Sequence, residues 1–388
     1  AFAAHLPRLK DMGVETLWFM PLTPIAQKEK KGSLGSYYAC SDYTSVSNEF
    51  GTIEDFKRLV QTAHQMHMKV IIDWVANHTG WDHWWTVKHP DWYERDEHTG
   101  DFKKASGMDD IIELDFKNPE VRQAMIDAMK FWVVETGIDG FRCDLAFWVE
   151  LDFWVEAKTE LDKSKDLFWL GELDPADNPE YMRVFDAAYT WKWMHKAEQF
   201  YKRQASFHDL LDILQQYRQL PGIKAWFTTN HDENSWNGTE YEKYGDMAKA
   251  LAVFSCTWPG VPLLYSGQEL PNHKRLQFFE KDTIEWSDDV GLHSFYKSLF
   301  QLKKDHPALA TDAALEILST SDNILAFKRH AGEKSVTCFF NLSNEGRSVE
   351  LENSMAINSK NIFSGIETGI GAGGVAQLPP WSFAVFAN

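Results

Sequence analysis

The sequence predicts an α/β fold: a (β/α)8 TIM barrel with a short excursion after its third strand, followed by a C-terminal antiparallel β-sandwich. Three observations carry this expectation. Helix-like and strand-like patterns alternate over most of the 388 residues, and the strand-like runs are apolar on both faces, as in a parallel sheet covered by helices. Polar residues cluster where those runs end, and in a barrel those ends form the active face. After about Pro307 the rhythm changes to short runs between Gly, Asn and Ser turns, the pattern of an antiparallel sandwich.

In chain order, Leu6, Leu9 and Met12 line one helical face up to Gly13, and Val14 to Pro21 reads as a buried strand stopped by proline. Thr52-Ile53-Glu54-Asp55 resembles a capping box opening a helix through about Met68, and Val70 to Val75 is the next strand. Gly80 to Lys117, rich in Trp, His, Asp and Gly, is too long for an ordinary connection and reads as a small subdomain. Its Trp84, Trp85 and Trp92 are expected to pack its interior rather than to serve as sugar platforms. Asn118-Pro119-Glu120 opens a helix whose apolar face is Val121, Met125, Met129 and Trp132. The strand it feeds ends in Arg142-Cys143-Asp144. Further strands are expected at Leu167 to Leu173, Ala188 to Trp193, Lys224 to Thr229 and Val261 to Tyr265, with a last helix through about Lys303. That makes seven strands, each following a helix; the first strand of the barrel is absent from this sequence and is expected upstream of Ala1. Sandwich strands are expected at Ala314 to Leu318, Ile324 to Arg329, Ser335 to Asn341 and Ser382 to Phe386. The domains are then 1–79 with 118–308 (barrel), 80–117 (insert) and 309–388 (sandwich).

A net charge of -18 argues against nucleic acid or an anionic membrane as partner, since both need clustered Lys and Arg. No apolar run is long enough to span a membrane. The 17 Trp, 12 Tyr and 26 Phe suit the apolar faces of sugars. Cys40, Cys143, Cys256 and Cys338 show no metal spacing and are expected as free thiols, with Cys143 a core thiol on the face opposite Arg142 and Asp144. Gly369 to Gly374 lacks the Lys-Ser/Thr ending of a phosphate loop. Lys28, Lys30 and Lys31 read as a solvated loop tip. The protein is expected to be a monomer, secreted or periplasmic rather than cytoplasmic, with its signal outside this sequence.

Four strand ends carry the candidate chemistry: Asp73 to His78, Arg142 to Asp144, Gly171 to Asp174, and Thr229 to Asn234. Arg142 and Asp144 share one strand face, and the guanidinium favours an ionised carboxylate, which suits a nucleophile. Glu172 has no cation adjacent in sequence, so crowding by other acids makes it the proton-donor candidate. Asp232, preceded by His231, is the third acid. An attacking carboxylate, a protonating acid and further negative charge are what glycosidic cleavage requires.

These stretches, in this order and spacing, resemble the conserved regions of the α-amylase family of glycoside hydrolases. Gly260 to Glu269 is similar to that family's last barrel strand, and Ser36 to Tyr43 to its tyrosine motif. The resemblance implies Asp144 as nucleophile, Glu172 as general acid/base and Asp232 as transition-state stabiliser. It also implies that Tyr38 stacks on the sugar at the cleavage subsite, that Arg142, His78 and His231 hold sugar hydroxyls and the nucleophile, and that Asp73 supports the first of these regions, Asp73 to His78, from behind. The implied reaction is retaining hydrolysis of α-1,4-linked glucans such as starch, glycogen or maltooligosaccharides. A transglycosylase or cyclomaltodextrinase on the same scaffold is the alternative, and a catalytically inactive glycan-binding relative a more remote one. Many members of the family bind structural calcium. Here the matching positions are Asn77, Glu113 and the carbonyl of Trp148, leaving two alternatives: a calcium ion on Asn77 and Glu113, or a calcium-free site held by packing.

Overall fold

The computed structural model describes every residue except Ala1, Asp288, Ser321, 351–359 and 364–374. The chain divides into two compact units, one of Ala1–Tyr189 with Gln277–Thr283, the other of Thr190–Leu276 with Ile284–Asn388.

The first unit opens with helix α1 (Leu6–Met12), strand β1 (Thr16–Phe19), helix α2 (Ile53–Gln65) and strand β2 (Lys69–Trp74). The expected capping box at α2 is present in both directions between Thr52 and Asp55. The helix stops three residues short of Met68 because the chain turns through left-handed His67 (φ 57°) into β2. The excursion is built on a short antiparallel ladder of β3 (His78–Gly80) and β4 (Ile111–Glu113), with helix α3 (Trp85–Lys88) between them. Trp85 and Trp92 are buried with ring centroids 5.0 Å apart, as expected, but Trp84 is 47% exposed. Consecutive residues at the start of so short a helix cannot all face inward.

Helix α4 (Pro119–Thr136) is capped by the Asn118 side chain and buries all four expected apolar residues. It leads into β5 (Gly140–Cys143), helix α5 (Leu151–Leu161), β6 (Phe168–Gly171) and β7 (Ala187–Tyr189). The strands run parallel in the order β1-β2-β5-β6-β7. Only a 3₁₀ turn, Pro179–Arg183, lies between β6 and β7, so this strand does not follow an α-helix. The strand expected to run to Trp193 ends at Tyr189. Trp191 already opens a helix, because an apolar run this short fits either period and Trp193, Met194 and Ala197 bury the helical one.

The second unit holds helices α6 (Trp191–Tyr201) and α7 (Phe207–Gln219), strand β8 (Ile223–Trp226), helices α8 (Glu240–Tyr244) and α9 (Ala248–Thr257), strand β9 (Val261–Pro262) and helix α10 (His293–Asp305). Strands β8 and β9 are parallel and shorter than expected, although Leu263 still donates its amide to Trp226. Then come β10 (Ala314–Ser319), β11 (Ile324–Ala331), β12 (Lys334–Asn341), β13 (Arg347–Glu350), β14 (Lys360–Asn361), β15 (Val375–Leu378) and β16 (Phe383–Ala387). An antiparallel sheet in the order β10-β11-β12-β16-β14 faces a core of Ile324, Ala326, Phe339, Ala376, Leu378, Ala384 and Phe386, and β13 pairs with β15. The four expected sandwich strands are present within two residues of their predicted ends. Gly369 to Gly374 lies outside the described residues.

All four cysteines are buried free thiols. The lysines of the 28–31 tip are better held than expected: Lys30 bonds to Gln27 and Ser33, Lys31 lies 2.7 Å from Asp110, and Lys28 sits over the Trp81 ring.

Candidate active site

Alternation along β5 sends Phe141 and Cys143 into the core and Arg142 to the other face, with Asp144 following one residue beyond the strand. Gly140 lets β6 come close: its φ is +156°, and an added Cβ would land on the Phe168 carbonyl oxygen. The parallel register then sets the neighbours. Asp73 pairs with Arg142 and Cys143 with Gly171, so Glu172 comes level with Asp144 and donates its amide to Cys143 O at 2.9 Å. Three carboxylates distant in sequence thus meet at the carboxyl ends of neighbouring strands.

All three bind Arg142. Its Nη1 donates to Asp73 Oδ1 at 2.8 Å and to Asp144 Oδ1 at 3.0 Å, Nη2 lies 2.8 Å from Glu172 Oε2, and Nε donates to the Tyr189 hydroxyl at 3.2 Å. The absence of a cation near Glu172 in sequence is therefore corrected by the structure, since register on the adjacent strand supplies one. Arg142 has no exposed surface and lies over the Trp18 ring. After Asp144 the chain turns through left-handed Leu145 (φ 36°), an uncommon conformation for leucine. The turn aims the Leu145 amide at Glu172 Oε2, 2.7 Å away.

Three carboxylates against one guanidinium leave an excess of negative charge. Burial opposes charge on Arg142, but Asp73 and Glu172 overcome it and hold the guanidinium well above its usual range. Burial, reinforced by Glu172, pushes Asp73 up to about 6 against the pull of Arg142 and the Tyr38 hydroxyl. Asp73 Oδ2 accepts from Tyr38 OH at 3.0 Å and from Trp18 Nε1 at 3.2 Å, so it braces Arg142 and the tyrosine together. The Tyr38 ring is nearly parallel to Phe278, with centroids 6.1 Å apart. His78 is fully buried, and burial lowers it to about 4, which leaves the imidazole neutral. Its Nδ1 lies 3.4 Å from Asn77 Nδ2, and its buried Nε2 finds no hydrogen-bond partner among the described residues.

The second unit holds the fourth strand end. Asn230 Oδ1 accepts from the amides of Asp232 (3.0 Å) and Glu233 (2.8 Å), and buried His231 lies 3.1 Å from the half-buried Asp232 carboxylate.

Of the positions matched to calcium, Glu113 already has a cation beside it. The ammonium of Lys103 lies 2.6 Å from Glu113 Oε2, so that carboxylate is already paired with a cation. Among the described residues no three His, Cys, Asp or Glu side chains gather as a metal site. A hard cation needs six to eight oxygens and repels an ammonium, so this donor set does not fit calcium.

Sequence reasoning missed Tyr189 and Trp18, which hold Arg142 and Asp73. Each lies at or next to the end of a parallel strand, and that position was the available signal. It also missed Glu233 and Lys243, whose pairing nothing local announces.

Residues 2–103 and 88–306 match the family model described as alpha amylase, catalytic domain. Alpha-amylase 2 of Dictyoglomus thermophilum is 24% identical over 396 residues, and the match covers 93% of this chain but 66% of that protein. The crystal structure of an alpha-amylase from Lactobacillus plantarum is 27% identical, with a TM-score of 0.86 over 100% of this chain and 94% of that one. That of a noncanonic maltogenic alpha-amylase from Thermotoga neapolitana is 29% identical, with a TM-score of 0.84 over 100% and 91%. These likenesses bear out the barrel and the C-terminal antiparallel sheets expected from sequence.

Proposed function

We propose, because this chain belongs to the α-amylase family of glycoside hydrolases, that it cleaves α-1,4-glucosidic bonds of starch, glycogen or maltooligosaccharides by a retaining mechanism. The observation that carries the reading is the attachment of Asp144 and Glu172 to adjacent nitrogens of one buried guanidinium. Such a fork favours the short carboxyl separation, about 5 Å, that suits direct attack over the longer one that admits a water. Asp144 attacks the anomeric carbon while Glu172 protonates the leaving oxygen. Glu172 then takes a proton from the water that releases the sugar from Asp144. Asp232 supplies the third negative charge to the oxocarbenium-like transition state. The bare Nε2 of His78, the ring of Tyr38 and the imidazole of His231 bind the sugar. Glucans met as extracellular polymers support a secreted or periplasmic location.

The test is chromatography of products from soluble starch, maltoheptaose, pullulan and β-cyclodextrin. Wild type releases sugars, and Asp144→Asn lowers kcat on the order of 10³-fold or more. Activity unchanged in Asp144→Asn, or no release from any substrate by wild type, refutes the reading. Products longer than the starting maltoheptaose, or preference for β-cyclodextrin, would assign the chain to transfer or to ring opening.

A further inference from the structure

We propose that Glu233 and Lys243 are a positioning pair for Asp232, fixing the turn that presents its carboxylate. The inference rests on the proposed role of Asp232 as the third acid. Glu233 follows Asp232 directly, yet its side chain is buried away from solvent, and Lys243 has no exposed surface. Glu233 Oε2 contacts the Lys243 ammonium, while Oε1 accepts from Asn237 Nδ2 at 3.1 Å and lies 3.5 Å from His195 Nε2. Lys243, on α8, also approaches Glu198 (3.7 Å) and Met194 (3.6 Å), both on α6. The carboxylate therefore ties the residue after Asp232 to two helices.

Desolvating two charges costs several kcal/mol per ion, and a packed apolar pair often does as well or better for stability. Stability alone is therefore a poor account of this pair, and its place gives a better one. On one side Asn230 Oδ1 holds the amides of Asp232 and Glu233; on the other, Glu233–Asn237 forms a single π-helical turn closed by the Gly238 amide on the Glu233 carbonyl at 2.9 Å. Such turns recur at functional sites. Burial works against the Glu233 charge, but His195 and Lys243 hold its carboxyl down to about 2, so the anchor stays ionised across the working pH range. Asp232 thus sits between two fixed points before substrate arrives, which is how a transition-state charge avoids reorganisation during reaction.

The test compares wild type, Glu233→Gln, Glu233→Ala, Asp232→Asn and the double variant Glu233→Gln/Lys243→Met on maltoheptaose, at a temperature where thermal melts show each folded. The double variant leaves no unpaired buried charge and so guards against simple misfolding. Displacement of a reacting group by about 1 Å costs about 10²-fold. The expectation is a kcat loss near that size for Glu233→Ala and about tenfold for Glu233→Gln and the double variant, with KM within about threefold. A pair that only stabilises the fold would lower the melting temperature and leave kcat alone. Folded Glu233 variants with kcat within twofold of wild type, beside an inactive Asp232→Asn, overturn this inference and leave the proposed function standing. An inactive wild type overturns both.

Discussion

Replacing Arg142 by lysine tests the centre of the site without removing its charge. The guanidinium contacts Asp73, Asp144, Glu172 and the Tyr189 hydroxyl at 2.8, 3.0, 2.8 and 3.2 Å. An ammonium lacks the planar fork and satisfies about two of the four. Two lost charge-assisted contacts, at about 1.5–3 kcal/mol each, amount to roughly 3–6 kcal/mol. If half falls on the transition state and half on the fold, Arg142→Lys lowers kcat/KM by roughly 10- to 10²-fold. The remainder lowers the melting temperature by several degrees. Reducing-sugar release from maltoheptaose reads the first effect, and circular dichroism melts read the second. Retention of kcat/KM within threefold, with a melting temperature within about 1 °C of wild type, would refute the claim that three carboxylates depend on one planar cation.

Other perturbations separate fold from chemistry. Burial opposes charge on Asp139, but Lys165, the Val70 amide and His64 hold its carboxyl down to about 2. A depressed carboxyl contributes stability above its unfolded value near 4 and loses it as pH falls from about 4 through about 2. After allowance for solvent screening of the lysines, Asp139→Asn costs about 1–2 kcal/mol at neutral pH and flattens the acid limb of stability between pH 4 and 2, measured by urea unfolding across pH. Gly140→Ala forces a methyl onto the Phe168 carbonyl in a backbone region unfavourable to alanine, so it costs about 2–3 kcal/mol or prevents folding. A wild-type melting temperature from that variant would refute the close approach. Because Lys103 occupies the Glu113 carboxylate, chelation with EDTA and addition of millimolar calcium both leave the melting temperature unmoved, and a rise of several degrees with calcium would overturn that assignment.

What sequence could reveal was whatever one segment decides for itself. Alternation puts Arg142 on the face away from Cys143, the capping residues Thr52 and Asn118 open α2 and α4, and polar residues after apolar runs mark strand ends. Asp73, Asp144 and Glu172 were therefore recognisable as candidates, and so was the change to antiparallel strands after α10. The start of α6 was not, because a few apolar residues satisfy both periods until a partner buries one of them. Nor could the sequence show that Glu172 shares a cation with Asp144, that Tyr189 and Trp18 hold Arg142 and Asp73, that Lys103 stands at Glu113, or that Lys243 pairs with Glu233. Each of these depends on how separate strands, turns or helices pack together, which no one segment encodes. The arginine and its carboxylates were thus chosen by local chemistry, but their partners and the rise of the Asp73 carboxyl to about 6 were decided by tertiary structure, because desolvation and cross-strand contact exist only once the chain is packed.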